Sequence, residues 1–304
     1  MAKVFFSATE NAYHNITDMF NSIWPTAVSL WNTRCTIKGI LLENKNLTSS
    51  QINNKFSLGS NIHGANMIKI FEEKSWEEQQ EDFAWIILNH IISIYEGWIE
   101  EMGEIFINID SKYFQFEKNI NSNISECNKN KSVITQKCFY SYYANKAKHN
   151  KTHLPHMMHC YRIFKEIRNC YMHHRKIADQ KLIDAYANYS SITNNNLGVK
   201  EVPIVNPIYL NCKISLNLRG VVGFCAIICN LLILLDTELI MGKDAEKELL
   251  KKFKKHADFQ KKQLADQSMI DKKIQRLAKK SNLPNPTITA ELRKFIKDNQ
   301  ILNI

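Results

Sequence analysis

Nine glycines and six prolines in 304 residues leave this chain few places to turn. Between those places apolar residues recur at intervals of three and four rather than two. That spacing specifies helices, and the predicted fold class is all-α: a four-helix core with extra N-terminal helices and a basic helical tail. The regions are 1–74 (extension), 75–242 (helical core) and 243–304 (tail).

Local signals place the elements. Glu10 to Trp31 reads as an amphipathic helix interrupted at Pro25, and the Asn- and Ser-rich stretch that follows, through Asn66, reads as loop. Ser75 followed by Glu78 is a capping box that opens a long helix running to about Phe106. Asn119 to Lys131 is polar and reads as loop, and VITQKCFYSYYANKAK after it forms a shorter aromatic helix. A second long helix is predicted from Pro155 to about Ser190, ended by the Asn194–Gly198 cluster. An apolar helix follows from about Ser215 to Met241. The tail is helical from Lys243 to Lys280, and Pro284 and Pro286 set off a last helix, TITAELRKFIKD.

Charge and composition narrow the functional classes. The formal net charge is +10, and the segment from Lys243 to Gln300 carries sixteen Lys and Arg against eight Asp and Glu. Clustered cations favour a polyanionic or acidic partner. The eight cysteines form no CxxC pair, and Cys225 and Cys229 sit in an apolar run as core residues, so reduced thiols are expected. His149, His153, His156, His159, His173 and His174 have no acidic or thiol partner at a ligand spacing, and no metal or other cofactor is expected. The opening MAKVFFSATENAYHN has no apolar core of a secretory signal, so the expected location is cytoplasmic. Val221 to Leu235 is shorter than a spanning helix needs and contains Asn230, so it reads as a buried helix without membrane contact. No GxxxxGK[ST] phosphate loop occurs.

The informative segment is Arg168-Asn169-Cys170-Tyr171-Met172-His173, in the middle of the second long helix. An arginine followed at such spacing by a histidine arises by chance about 0.7 times in a chain of this composition, and requiring Asn after the Arg lowers that to roughly 0.02. On a helical wheel Met157, Cys160, Phe164, Ile167 and Tyr171 form one apolar stripe. With Ile167 at 0°, Arg168 falls at about 100°, Asn169 at about 200° and His173 at about 240°, with Arg162, Lys165 and Lys176 on the same broad polar face.

This segment resembles the signature of the HEPN superfamily of helical ribonucleases, an arginine, commonly followed by a polar residue, with a histidine four to six positions on. The resemblance spans roughly Ser75 to Met241. It implies a metal-independent endoribonuclease, of the toxin or antiphage (abortive infection) kind, that cuts RNA at a site assembled between two copies of the chain. An antitoxin, regulator or sensor protein would hold it in check. RNA carries its own nucleophile, the 2′-hydroxyl, so a base, an acid and a phosphate clamp suffice. The implied roles are general base or acid for His173, phosphate clamp for Arg168, and orientation of either for Asn169. Arg162, Lys165 and Lys176 would hold the RNA backbone. His174 is a second candidate, though at about 340° it reads as a packing histidine. Tyr171 reads as core, Glu166 as a surface group or one that supports the motif residues from behind, and Glu96 in SIYEGW as an acidic contribution from the first long helix. The alternatives are a catalytically inactive HEPN-like module that binds RNA or protein, and a regulatory or membrane-associated helical protein.

Overall fold

The computed structural model describes residues 3–62, 64–106, 113–115, 117–145, 150–256 and 266–302, and every regular element among them is helical. The strongest start signal is obeyed. The Ser75 hydroxyl accepts from the Glu78 N–H and the Glu78 carboxylate accepts from the Ser75 N–H, opening α3 (Trp76–Ile105).

Two α-helices and a π turn, Lys69–Glu73, precede it. α1 (Ser7–Glu43) runs straight through Pro25, where an interruption was predicted. Pro25 lies on the exposed side, where water can take the carbonyl that loses its partner. The predicted loop up to Asn66 also contains α2 (Ser49–Ser57), opened by a Thr48/Gln51 capping box. Ile37, Ile52 and Phe71 bury one another in a small cluster of their own, which the polar composition of the segment conceals.

The predicted loop from Asn119 to Lys131 holds α4 (Ile120–Cys127), whose Ile120, Ile124 and Cys127 repeat at four and three and are buried. A helical stretch over 133–144 includes a π turn, Gln136–Tyr140. The long helix predicted to reach Ser190 is two: α5 (Leu154–His173) and α6 (Gln180–Ser190). Arg175 and Lys176 take left-handed backbone angles, φ 53° and 66°. The chain then pairs with the 211–214 segment, Ala178 N–H donating to Cys212 O and Ile214 N–H to Lys176 O. Asp179 caps the N-terminus of α6 through the Leu182 N–H.

α7 (Leu218–Leu239) is longer than the apolar run suggested, and by length and composition could cross a membrane. Its apolar surface is spent inside the protein, where it packs against α1, α3 and α5. α8 (Ala245–Lys255), α9 (Gln267–Lys280) and α10 (Ala290–Asp298) complete the chain. Phe5 and Phe6 near the start, and Leu249, Phe253, Ile274, Leu292 and Ile296 in the tail, are buried in the same cluster as α3, α5 and α7. Residues from all three sequence regions therefore share one core.

Gly220, in the first turn of α7, shows how closely the elements approach. A Cβ there would sit 1.9 Å from the Ile204 carbonyl oxygen, so backbone must move. Gly220→Ala is expected to destabilise by about 3 kcal/mol or more. Gly97, within α3, has nothing within 4 Å of the same atom, and Gly97→Ala is expected to stabilise by about 0.5–1 kcal/mol through helix propensity. Urea unfolding of the two variants checks the contrast.

Candidate functional site

The apolar stripe of α5 fixes how the motif is presented. Met157, Cys160, Phe164 and Ile167 are buried as predicted, and Phe164 stacks on Phe224 of α7 with centroids 4.3 Å apart. Antiparallel to α5, α3 places Tyr95 against Tyr161 (4.8 Å) and Trp85 against Tyr171 (4.1 Å, near parallel). Tyr171 is half-buried by that stack rather than fully in the core.

Most polar side chains along the second half of α5 are already engaged. Glu166, predicted as a surface or supporting group, is 4 % exposed and supports its neighbours; its carboxylate accepts from Arg162 at 2.8 Å and from Asn169 Nδ2 at 3.1 Å. Lys165 pairs with Glu96 of α3 at 3.1 Å and donates to Gln115 at 2.8 Å. The structure thus brings Glu96 to the motif helix, but onto Lys165. Lys176 lies over the rings of Tyr171 (4.9 Å) and Trp85 (5.1 Å). Each of the three cations predicted to contact RNA therefore has a partner within the chain.

Arg168 and His173 differ. Among the described residues neither makes a hydrogen bond or ion pair, and the half-buried Arg168 keeps its Nε buried without a partner. His173 is the exposed last residue of α5. Five helical residues separate the pair by about 7.5 Å along the axis and about 140° around it, so they flank the Asn169 position rather than meet. Beside Arg168 the Tyr161 hydroxyl is also buried without a partner. Burial pushes that phenol well above its usual range, and the nearby Arg168 charge opposes the shift.

His174 is not a packing histidine. Because the helix ends at His173, the wheel no longer governs the next residue, and His174 is exposed with Nε2 3.8 Å from the Asp179 carboxylate. Of the remaining histidines, His153 bonds Asn196 O (2.8 Å) and Asn150 (2.9 Å), and His149 lies outside the described residues. Among the described residues no group of three His, Cys, Asp or Glu is placed to hold a metal ion. Burial holds the His159 imidazole below its usual range.

Sequence reasoning missed Tyr161, Trp85 and the buried role of Glu166. The spacing of Arg162, Glu166 and Asn169, four then three, carried the signal for the bonds Glu166 accepts, though not for its burial. Clefts of about 410 and 210 Å³ lie between α1 and α3, and one of about 340 Å³ lies beside α8 and α10; none of these three touches Arg168, Asn169 or His173. No protein-family profile, curated protein or solved structure matches this chain.

Proposed function

We propose that this chain is a metal-independent endoribonuclease with a HEPN-like four-helix core formed by α3, α5, α6 and α7, acting in the cytoplasm as a toxin or antiphage effector. One observation carries the reading. From Arg162 to the end of α5 every charged or amide side chain is bonded inside the chain except Arg168 and His173. A half-buried guanidinium without a counter-charge is unfavourable by itself, and an external phosphate would supply the missing acceptors.

In this reading Arg168 grips two phosphate oxygens with its planar fork. His173 takes the proton from the 2′-hydroxyl or returns one to the leaving 5′-oxygen, and the two-nitrogen imidazole suits either step near neutral pH. Asn169, its amide nitrogen held by Glu166, lies between them on the helix surface. The motif offers one arginine and one histidine per chain, so base and acid together call for two copies of α5 across a twofold axis. An antitoxin or regulator would then act by covering this surface. The burial of α7 against α1, α3 and α5 supports a role without a membrane.

The exposure of His173, with no group to orient it, favours a second reading: a HEPN-like module that binds RNA or protein without cutting. Incubating wild type, Arg168→Ala and His173→Ala with total RNA in EDTA, then mapping fragment ends, separates the two. Cleavage by wild type alone, leaving 2′,3′-cyclic or 3′-phosphate ends, is the expected result. Equal cutting by all three proteins removes these residues from catalysis. RNA retention without cutting establishes the binding module instead.

A further inference from the structure

From Met19 to Thr33, α1 carries no charged residue, on a chain whose net charge is +10. Its inward stripe, with Met19 and Ile23, is buried. Roughly 100° around the axis a second stripe of Phe20, Trp24, Ala27, Val28 and Trp31 reaches the surface. Trp24, Val28 and Trp31 are 39 %, 59 % and 44 % exposed. Phe20 and Trp24 stack at 5.3 Å, and Trp31 packs on Trp76 of α3 at 4.9 Å. An exposed apolar strip about three turns long is uncommon on a solvated helix and marks a contact surface.

Charge and symmetry decide what covers it. A nucleic-acid track needs cations beside its aromatic platforms, and this span has none. An interfacial helix on an anionic membrane needs Lys or Arg along its edges, and only Lys38 falls on the same face further along. A second copy of α1 meets neither obstacle. The stripe is close to self-complementary when reversed about the point between Ala27 and Val28. Bulky Trp24 then lies opposite Trp31, and the small Ala27 sits at the crossing.

We infer that this stripe is an isologous contact, with α1 packing antiparallel on α1 of a second copy about a twofold axis between Ala27 and Val28. Each Trp24 meets the partner's Trp31, and Phe20 meets the partner's Cys35. The two Lys38 ammonium groups stand about 30 Å apart at ~1.5 Å rise per residue, several screening lengths at physiological salt. Across α3, Trp98 bonds Thr9 of α1 on one side while Trp85 and Glu96 meet α5 on the other. The contact therefore lies away from Arg168 and His173, and stands or falls apart from the ribonuclease reading.

Cysteine cross-linking of the full chain tests it. In a background with the exposed Cys35 and Cys212 replaced by serine, Val28→Cys is expected to give a disulfide-linked dimer on mild oxidation. Val133→Cys, also exposed but remote, is expected to form no cross-link. Adding Trp24→Glu is expected to weaken the association about thirtyfold, the effect of losing one central aromatic anchor. Failure of Val28→Cys to cross-link, or equal cross-linking of Val133→Cys, overturns the proposal. So does Trp24-dependent binding to phosphatidylserine vesicles by a chain that does not cross-link, which would assign the stripe to lipid. RNA cleavage measured on the same Trp24→Glu protein is expected to be retained, so loss of this contact cannot be confused with loss of the catalytic motif.

Discussion

Alanine at His173 is expected to lower the rate of RNA cleavage by about two to four orders of magnitude, the usual contribution of a positioned general acid or base. Arg168→Ala is expected to cost about two to three orders through lost charge stabilisation in the transition state. Arg168→Lys is expected to recover little, because an ammonium cannot reproduce a two-point grip. The same variants carry a stability signature that separates function from folding. His173 is exposed and unbonded, so removing it is expected to leave thermal unfolding unchanged within about 0.5 kcal/mol. Arg168→Ala removes a buried Nε with no partner, and is expected to be neutral or slightly stabilising. Oligonucleotide kcat/KM and thermal melts on the same preparations check both halves. A large loss of stability in either variant would make the motif structural and sink the catalytic assignment.

How far the sequence revealed this molecule depended on whether a signal was local. The Ser75/Glu78 cap fixes the start of α3 through contacts three residues apart, and the apolar stripe of α5 is read from spacing alone. The end of α5 was not legible. Nothing in His173-His174-Arg175-Lys176 breaks a helix, and the chain leaves it for bonds to Cys212 and Ile214, some 36 residues away. The same holds for the tail, whose charge hides Leu249, Phe253 and Ile296 docking into the shared core. At the site, residue types and spacing picked out Arg168 and His173. That Arg162, Lys165 and Lys176 are already occupied depends on Glu166 burial and on α3, neither of which periodicity reports.

Asp236 carries the largest expected effect on stability. It lies fully buried near the end of α7, and its carboxylate accepts from the Phe5 N–H at 2.7 Å and the Phe6 N–H at 3.0 Å, pinning the N-terminus to the core. Glu248 takes the Ser7 N–H at 2.9 Å, and the buried Lys252 ammonium stands near both carboxylates without a hydrogen bond. Asp236→Ala would orphan two backbone donors and leave Lys252 with one counter-charge fewer, an expected loss of about 3–5 kcal/mol at pH 7. The pH dependence has the opposite sign from an ordinary paired carboxylate. Burial raises Asp236 to about 6, against bonds from Phe5, Phe6 and Thr9 and the charge of Lys252, all of which lower it. Burial first, and the Asp236 charge as a smaller contribution, push up the nearby Tyr13 and Tyr143 phenols. A folded pKa above the unfolded value means the native state holds the proton more tightly. The stabilisation from this group is therefore full below the unfolded pKa of about 4 and is lost as pH rises through about 6. A shift of this size is worth on the order of 3 kcal/mol in all. Asp236→Asn keeps the shape and cannot titrate, so the stability gap between it and wild type, measured in urea at pH 5 and pH 7, is expected to move in favour of wild type at pH 5. A gap that stays constant would show that Asp236 is ionised throughout, with Lys252 as a full ion-pair partner that outweighs the cost of burial.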